Sequence, residues 1–243
     1  MSGVERHRGR HPADEELFAA EAAPVLRVAV EELSWLMSRG YARNSAVKLV
    51  GDRHELRERQ RLAAGRAACA DAAREGRAQR QLLAEALRGR GVMVDGFNLL
   101  VSLEAALSGG VLLRCRDGCV RDMSSVHGSY HAVAETDAAV VLAGSRLAEL
   151  GAASVHWLLD KPVSNSGRLA ARLRELAEQH GWPWTVDTVF NPDAELIAAR
   201  DVVVVSSDAV VIDGAPCWYN LAADLILGGR CGQPWVVDLG EVH

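Results

Sequence analysis

The chain has 243 residues, of which 49% are hydrophobic and 24% charged, with a formal net charge of −5. That is ordinary globular composition, enough for one large domain or two modest ones, and no apolar run approaches the ~20 residues of a membrane-crossing helix. The opening MSGVERHRGRHPADEE lacks the apolar centre of a signal peptide, and five scattered cysteines suit reduced thiols better than a disulfide framework, so a cytoplasmic protein is expected.

Residues 1–13 read as a disordered N-terminus. Residues 14–90 read as a basic helical domain. Apolar positions recur at helical spacing from Leu17 to Leu36, and Pro24 starts or kinks a helix. A short helix is expected from Asn44–Ser45, a turn at Gly51–Asp52, and a basic helix from about Leu56. Residues 1–90 carry 17 Lys and Arg against 13 Asp and Glu, whereas residues 91–243 carry 10 against 19. A basic arm beside an acidic body suggests an anionic partner for the first and cations for the second. Solvated arginine-rich helices are the plainer alternative.

Residues 91–243 change to an α/β texture. Strands are expected at 92–94, 155–159, 185–189, 202–205 and 235–237, and helices at 99–107, 124–150, 167–180, 192–199 and 218–227. Short apolar strands alternating with helices imply a mostly parallel sheet covered on both faces. Polar sites in such sheets collect beyond the C-terminal strand ends.

Three expected strands end in aspartate. VMVDGFNLL delivers Asp95, with Asn98 behind it; VHWLLD delivers Asp160; DVVVVSSD delivers Ser206, Ser207 and Asp208, with Asp213 five residues on. Clustered carboxylates repel one another unless a cation sits among them, and hard oxygen donors suit Mg²⁺ or Mn²⁺. Ser206 and Ser207 are candidates to hold a phosphate, and Asn98 to orient an aspartate or a water. Each aspartate could instead cap the helix that follows it.

VDGFNLL, with LLD and VVSSD at later strand ends, resembles the PIN-like superfamily, especially its NYN-type branch. The resemblance implies a Rossmann-like sheet and a divalent-metal ribonuclease. It makes Asp95 the first acidic ligand with Asn98 its companion, Asp208 the late aspartate of a Ser-Asp pair, and Asp160 the middle position. PIN-type sites usually add an acidic residue on a helix, for which Glu104, Asp137 and Asp213 compete. WLMSRGYARNSAVKLVGDRHELRERQR, before the VDGFN segment, also resembles a bacterial and archaeal family catalogued as a domain of unknown function. Together the resemblances span about residues 30–227.

Other segments offer contacts to a phosphate. Asp117-Gly118 signals a hairpin, beyond which Arg121 and His127 are candidates to reach the acidic site. Lys161, Ser164, Asn165, Ser166 and Arg168 surround the start of an expected helix, whose exposed amides suit an anion. Cys115-x3-Cys119 and His127-x3-His131 depart from the usual zinc spacing. The basic helices are read either as a nucleic-acid contact or as a homodimer or domain contact. The expected function is metal-dependent hydrolysis of RNA. Two alternatives stay open: a non-catalytic RNA-binding protein of PIN-like fold, and an enzyme acting on a phosphorylated small molecule or nucleotide.

Overall fold

Val92 and Val94 point to one side of the first strand and Met93 to the other. Both sides are covered, as a fully apolar strand in a parallel sheet requires. The computed structural model describes residues 6–124 and 130–240. The N-terminal part is helical: α1 (Asp14–Leu17), α2 (Ala23–Ser38), α3 (Arg43–Arg53), α4 (Glu58–Ala67) and α5 (Asp71–Arg80). The chain continues through β1 (Gly91–Asp95), α6 (Gly96–Ser108), β2 (Val111–Arg114), β3 (Val120–Asp122), α7 (Thr136–Glu149), β4 (Ser154–Asp160) and α8 (Ser166–His180). It ends with β5 (Trp184–Val189), α9 (Pro192–Ala198), β6 (Val202–Val205), α10 (Ala209–Gly214), β7 (Trp218–Tyr219), α11 (Leu221–Leu227) and β8 (Trp235–Asp238). No helix among the described residues is long and apolar enough to cross a membrane.

The main sheet is five-stranded and parallel, in the order β5-β4-β1-β6-β7. From β1 the chain steps outward to β4 and β5, then returns to β6 on the other side of β1. Strand order therefore reverses between β1 and β6, which opens a crevice at their C-terminal ends. Trp157, Leu159, Val203 and Val205 join Val92 and Val94 against α6, α7, α8 and α11. Leu158, Val204 and Met93 face α9 and α10 on the other side.

β8 departs from expectation. It pairs in parallel with β2, which pairs antiparallel with β3, so residues 235–237 belong to a second, three-stranded sheet. The Asp117-Gly118 hairpin is present as the β2–β3 turn, with Gly118 at φ 79°. α2, α3 and α4 bury Leu26, Leu33, Val50 and Ala63 against Val111, Leu113 and Val237 of this sheet. The helical segment shares its core with the α/β part.

Several local expectations are also corrected. Gly51 lies inside α3, where an added Cβ would stand 2.7 Å from the Arg61 guanidinium packed against it. The helix expected at 124–150 begins at Thr136, and residues 125–129 lie outside the described ones. Trp218 and Tyr219 form an edge strand, and α11 starts after Asn220, whose Oδ1 accepts from Ala223 N at 3.3 Å. Within the stretch expected to be disordered, Arg8 Nε donates to the buried Glu104 Oε2 at 2.9 Å and the Arg10 guanidinium lies 4.8 Å from the Trp235 ring centre. Residues 6–13 are thereby fastened to both sheet layers.

Candidate active site

The Asp-Gly pair after β1 is dictated by the neighbouring strand. A Cβ on Gly96 would stand 2.9 Å from the Leu158 carbonyl oxygen and 2.5 Å from Leu159 Cδ2, so any larger residue would push α6 away from β4. Asp95 caps α6, and its Oδ1 accepts from Asn98 N at 3.4 Å. Its Oδ2 accepts from Ser206 Oγ at 2.8 Å, and Ser206 Oγ in turn accepts from Asp208 N at 3.0 Å. Asn98 Oδ1 accepts from both Ser207 N (2.8 Å) and Ser207 Oγ (2.9 Å). These bonds tie β1 to β6 at the switch point. Asp208 caps α10, accepting from Val210 N at 2.8 Å. The capping reading therefore holds for Asp95 and Asp208, alongside their place in the cleft.

That cleft has a volume of about 550 Å³, and Asp95, Asp160 and Asp208 all line it. Two further carboxylates line it: Asp193 in the first turn of α9, and the buried Asp122 at the end of β3, which accepts from Ser102 Oγ at 2.9 Å. Sequence reasoning missed both, although Asn191-Pro192-Asp193 follows a strand end just as Asp95, Asp160 and Asp208 do. Asp95 is 6% exposed. Burial, reinforced by the charges of Asp208 and Asp193 and opposed by the Ser206 hydroxyl, pushes its carboxyl up to about 7. Burial also raises Asp160, and burial together with Asp208 and Asp160 raises Asp193.

The donors are thus hard oxygens that repel one another, the chemistry that suits Mg²⁺ or Mn²⁺. Among the described residues, no three acidic, histidine or cysteine side chains stand close enough together to hold a metal ion as placed. The donor types are those that a divalent cation takes.

The cleft is also lined by Arg43 from α3, Arg66 from α4 and Arg121 from β3. Arg121 Nε donates to Ser207 O at 2.8 Å and its Nη2 to Asp117 Oδ2 at 2.7 Å. The two helical arginines were not singled out in the sequence, because nothing local says which face of a basic helix meets a distant sheet edge. Outside the lining residues, Phe190 is 75% exposed and Lys161 Nζ lies 4.7 Å from its ring centre. These two follow β5 and β4 directly, beside Asp193 and Asp160.

Other candidates fall elsewhere. Asp213 leaves the cleft: its two oxygens accept from Arg77 Nε and Nη2, both at 2.7 Å. Glu104 is wholly buried with Arg8, Tyr130 and Thr136. Asp137 pairs with Arg172. The loop after β4 turns away: Asn165 Nδ2 donates to Tyr130 O at 2.8 Å, and Ser164 O accepts from Tyr130 N at 3.2 Å. Asn165 and Arg168 line a separate hollow of about 450 Å³, and Ser166 is buried with its Oγ toward Lys161 O. The resemblance to an anion-binding helix start is therefore not realised toward the aspartates. His127 lies outside the described residues.

A family model described as a domain of unknown function, DUF5616, matches residues 84–224, more than half the chain. The chain belongs to the DUF5616 family. A second model, DUF434, described as a protein of unknown function, matches residues 25–80. The uncharacterized protein MJ0935 of Methanocaldococcus jannaschii is 32% identical over 198 residues, covering 82% of this chain and 93% of that protein. No solved structure matches the chain. The DUF5616 match contains all five cleft aspartates, and the DUF434 match contains Arg43 and Arg66.

Proposed function

We propose that the cleft is the active site of a divalent-cation-dependent hydrolase of RNA phosphodiesters, with a PIN-like arrangement of acidic residues. The observation that carries this is the arrival of four carboxylates from β1, β4, α9 and β6–α10 at one crevice, at the point where strand order reverses. Asp95, Asp193 and Asp208, whose charges act on one another, would hold the cation. Bound there, Mg²⁺ or Mn²⁺ would supply charge neutralisation at phosphoryl oxygens and a more acidic water. Ser206 holds Asp95 in place, Asn98 accepts from the Ser207 N–H, and Arg121 donates to the Ser207 carbonyl. Phe190 and Lys161, directly after β5 and β4, offer a ring face and an ammonium, the pairing that receives a base and a backbone phosphate of a single strand.

The test is cleavage of single-stranded RNA in Mn²⁺ or Mg²⁺ by the wild-type chain and by Asp95→Asn and Asp208→Asn, with circular dichroism to confirm folding. Metal-dependent cleavage lost in both folded variants supports the proposal. Cleavage unchanged in both refutes it. RNA binding without turnover in either metal would favour a non-catalytic binding protein.

A further inference from the structure

Arginines crowd the C-terminal end of α4. The last carbonyls of a helix have no partner within it, and here they are met from outside. Gly65 O accepts from Arg43 Nη1, Arg66 O from Arg121 Nη1 at 3.4 Å, and Ala67 O from Arg116 N at 3.0 Å. Most of these cations have carboxylate partners. Arg77 and Arg121 share the buried Asp117 at 2.5 and 2.7 Å, Arg77 also holds Asp213, and Arg116 holds Asp71 at 2.6 Å. Arg66 stands 3.9 Å from Asp122.

Arg43 differs from all of them. Among the described residues it has no carboxylate within ion-pair distance. Burial, then the charges of Arg121 and Arg77, pulls its pKa down, so it is a cation short of compensation. Gly65 takes one of its five N–H donors. The guanidinium lines the same cleft as Asp95, Asp193 and Asp208. A ligand filling this space meets both carboxylates and a guanidinium that has no ion-pair partner among the described residues. A phosphate suits both, held by Arg43 and bridged to the carboxylates through a cation.

We propose that Arg43 of the helical segment binds a phosphate group of the ligand in the aspartate cleft, so that the N-terminal helices complete the site. The proposal rests on the phosphoester reading of that cleft. The phosphate belongs either to a nucleic-acid backbone or to a free nucleotide.

The experiment titrates a 5′-fluorescein single-stranded decauridylate by anisotropy, in Ca²⁺ to limit turnover, over a series of salt concentrations, with uridine monophosphate as competitor. Arg43→Gln is expected to weaken binding by roughly tenfold or more. The slope of log affinity against log salt should fall by about 0.7, the signature of one lost contact to a single strand. A merely structural cap on α4 would not change that slope. Displacement by the monophosphate points to a nucleotide ligand, whereas binding of the decamer alone points to a strand, and both support the proposal. If Arg43→Gln does not fold, Arg43→Lys serves: it should keep the slope but bind several-fold more weakly. Wild-type affinity and slope in the glutamine variant, wild-type affinity in the lysine variant, or no saturable binding of either probe by the wild type would overturn it. Arg43-dependent binding without cleavage in Mn²⁺ would count against hydrolysis alone. Cleavage that needs Asp95 but is indifferent to Arg43 would count against Arg43 alone.

Discussion

Replacing Asp95 with asparagine should stabilise the metal-free fold at neutral pH. The ordinary aspartate value is 3.8, and burial beside Asp208 and Asp193 lifts Asp95 to about 7 in the folded chain. A raised acid holds its proton more tightly when folded than when unfolded. Its favourable contribution is therefore complete below 3.8, is lost steadily as pH rises, and is gone above 7. At 1.36 kcal/mol per unit, the carboxylate costs the wild-type fold about 4 kcal/mol above pH 7, and about 3 kcal/mol of that appears between pH 5 and pH 8. Asparagine keeps an oxygen for the Ser206 hydroxyl and carries no charge. Urea unfolding in EDTA, followed by tryptophan fluorescence at pH 5 and pH 8, measures the difference. The stability of Asp95→Asn relative to wild type should rise by about 3 kcal/mol between the two pH values. A difference independent of pH would refute the reasoning, because it would mean that Asp95 is already ionised at little cost. Added Mn²⁺ should then stabilise the wild type and leave the variant unchanged.

Ser206→Ala removes a donor that lowers the Asp95 pKa, so the carboxyl should titrate at still higher pH, and the variant should lose about 1–2 kcal/mol at pH 8. A carbon-detected NMR titration of the aspartate carboxyls reads the first effect and urea unfolding the second. Gly96→Ala should cost about 1–3 kcal/mol, because the methyl group would meet the Leu158 carbonyl and the Leu159 side chain. An equally stable alanine variant would contradict the close approach of α6 to β4. Glu104→Gln and Arg8→Ala should each destabilise by about 3 kcal/mol, since each breaks a buried ion pair. Their double mutant should lose much less than the sum, and full additivity in chemical denaturation would contradict the pairing.

What was legible in the sequence was what local patterning controls. Asp95, Asp160 and Asp208 could be placed at strand ends because apolar strand, turn and helix follow one another within a few residues, and the parallel sheet brings those ends to one edge. Asp95-Gly96 and Ser206-Ser207-Asp208 were thereby found together, and the structure binds them through Ser206 and Asn98. Partner choice across the chain was not legible. Asp213 is captured by Arg77, which lies 136 residues earlier, while Asp193 takes a place in the cleft. The loop of Ser164–Arg168 faces Tyr130 instead of Asp160, because the αL backbone of Asn165, at φ 70°, turns its side chain there. The strand at 235–237 looks like its neighbours, yet it closes a second sheet that seats the basic helices. That seating carries Arg43 and Arg66 to the cleft, and no spacing within a helix announces it.

The most direct test of the proposed cation site is anomalous diffraction from a crystal of the full chain soaked in Mn²⁺. The expected result is a manganese peak in the crevice at the ends of β1 and β6, bonded to Asp95 and Asp208 and reached by Asp193. A crystal showing no peak there, or manganese bound only elsewhere on the chain, would contradict it.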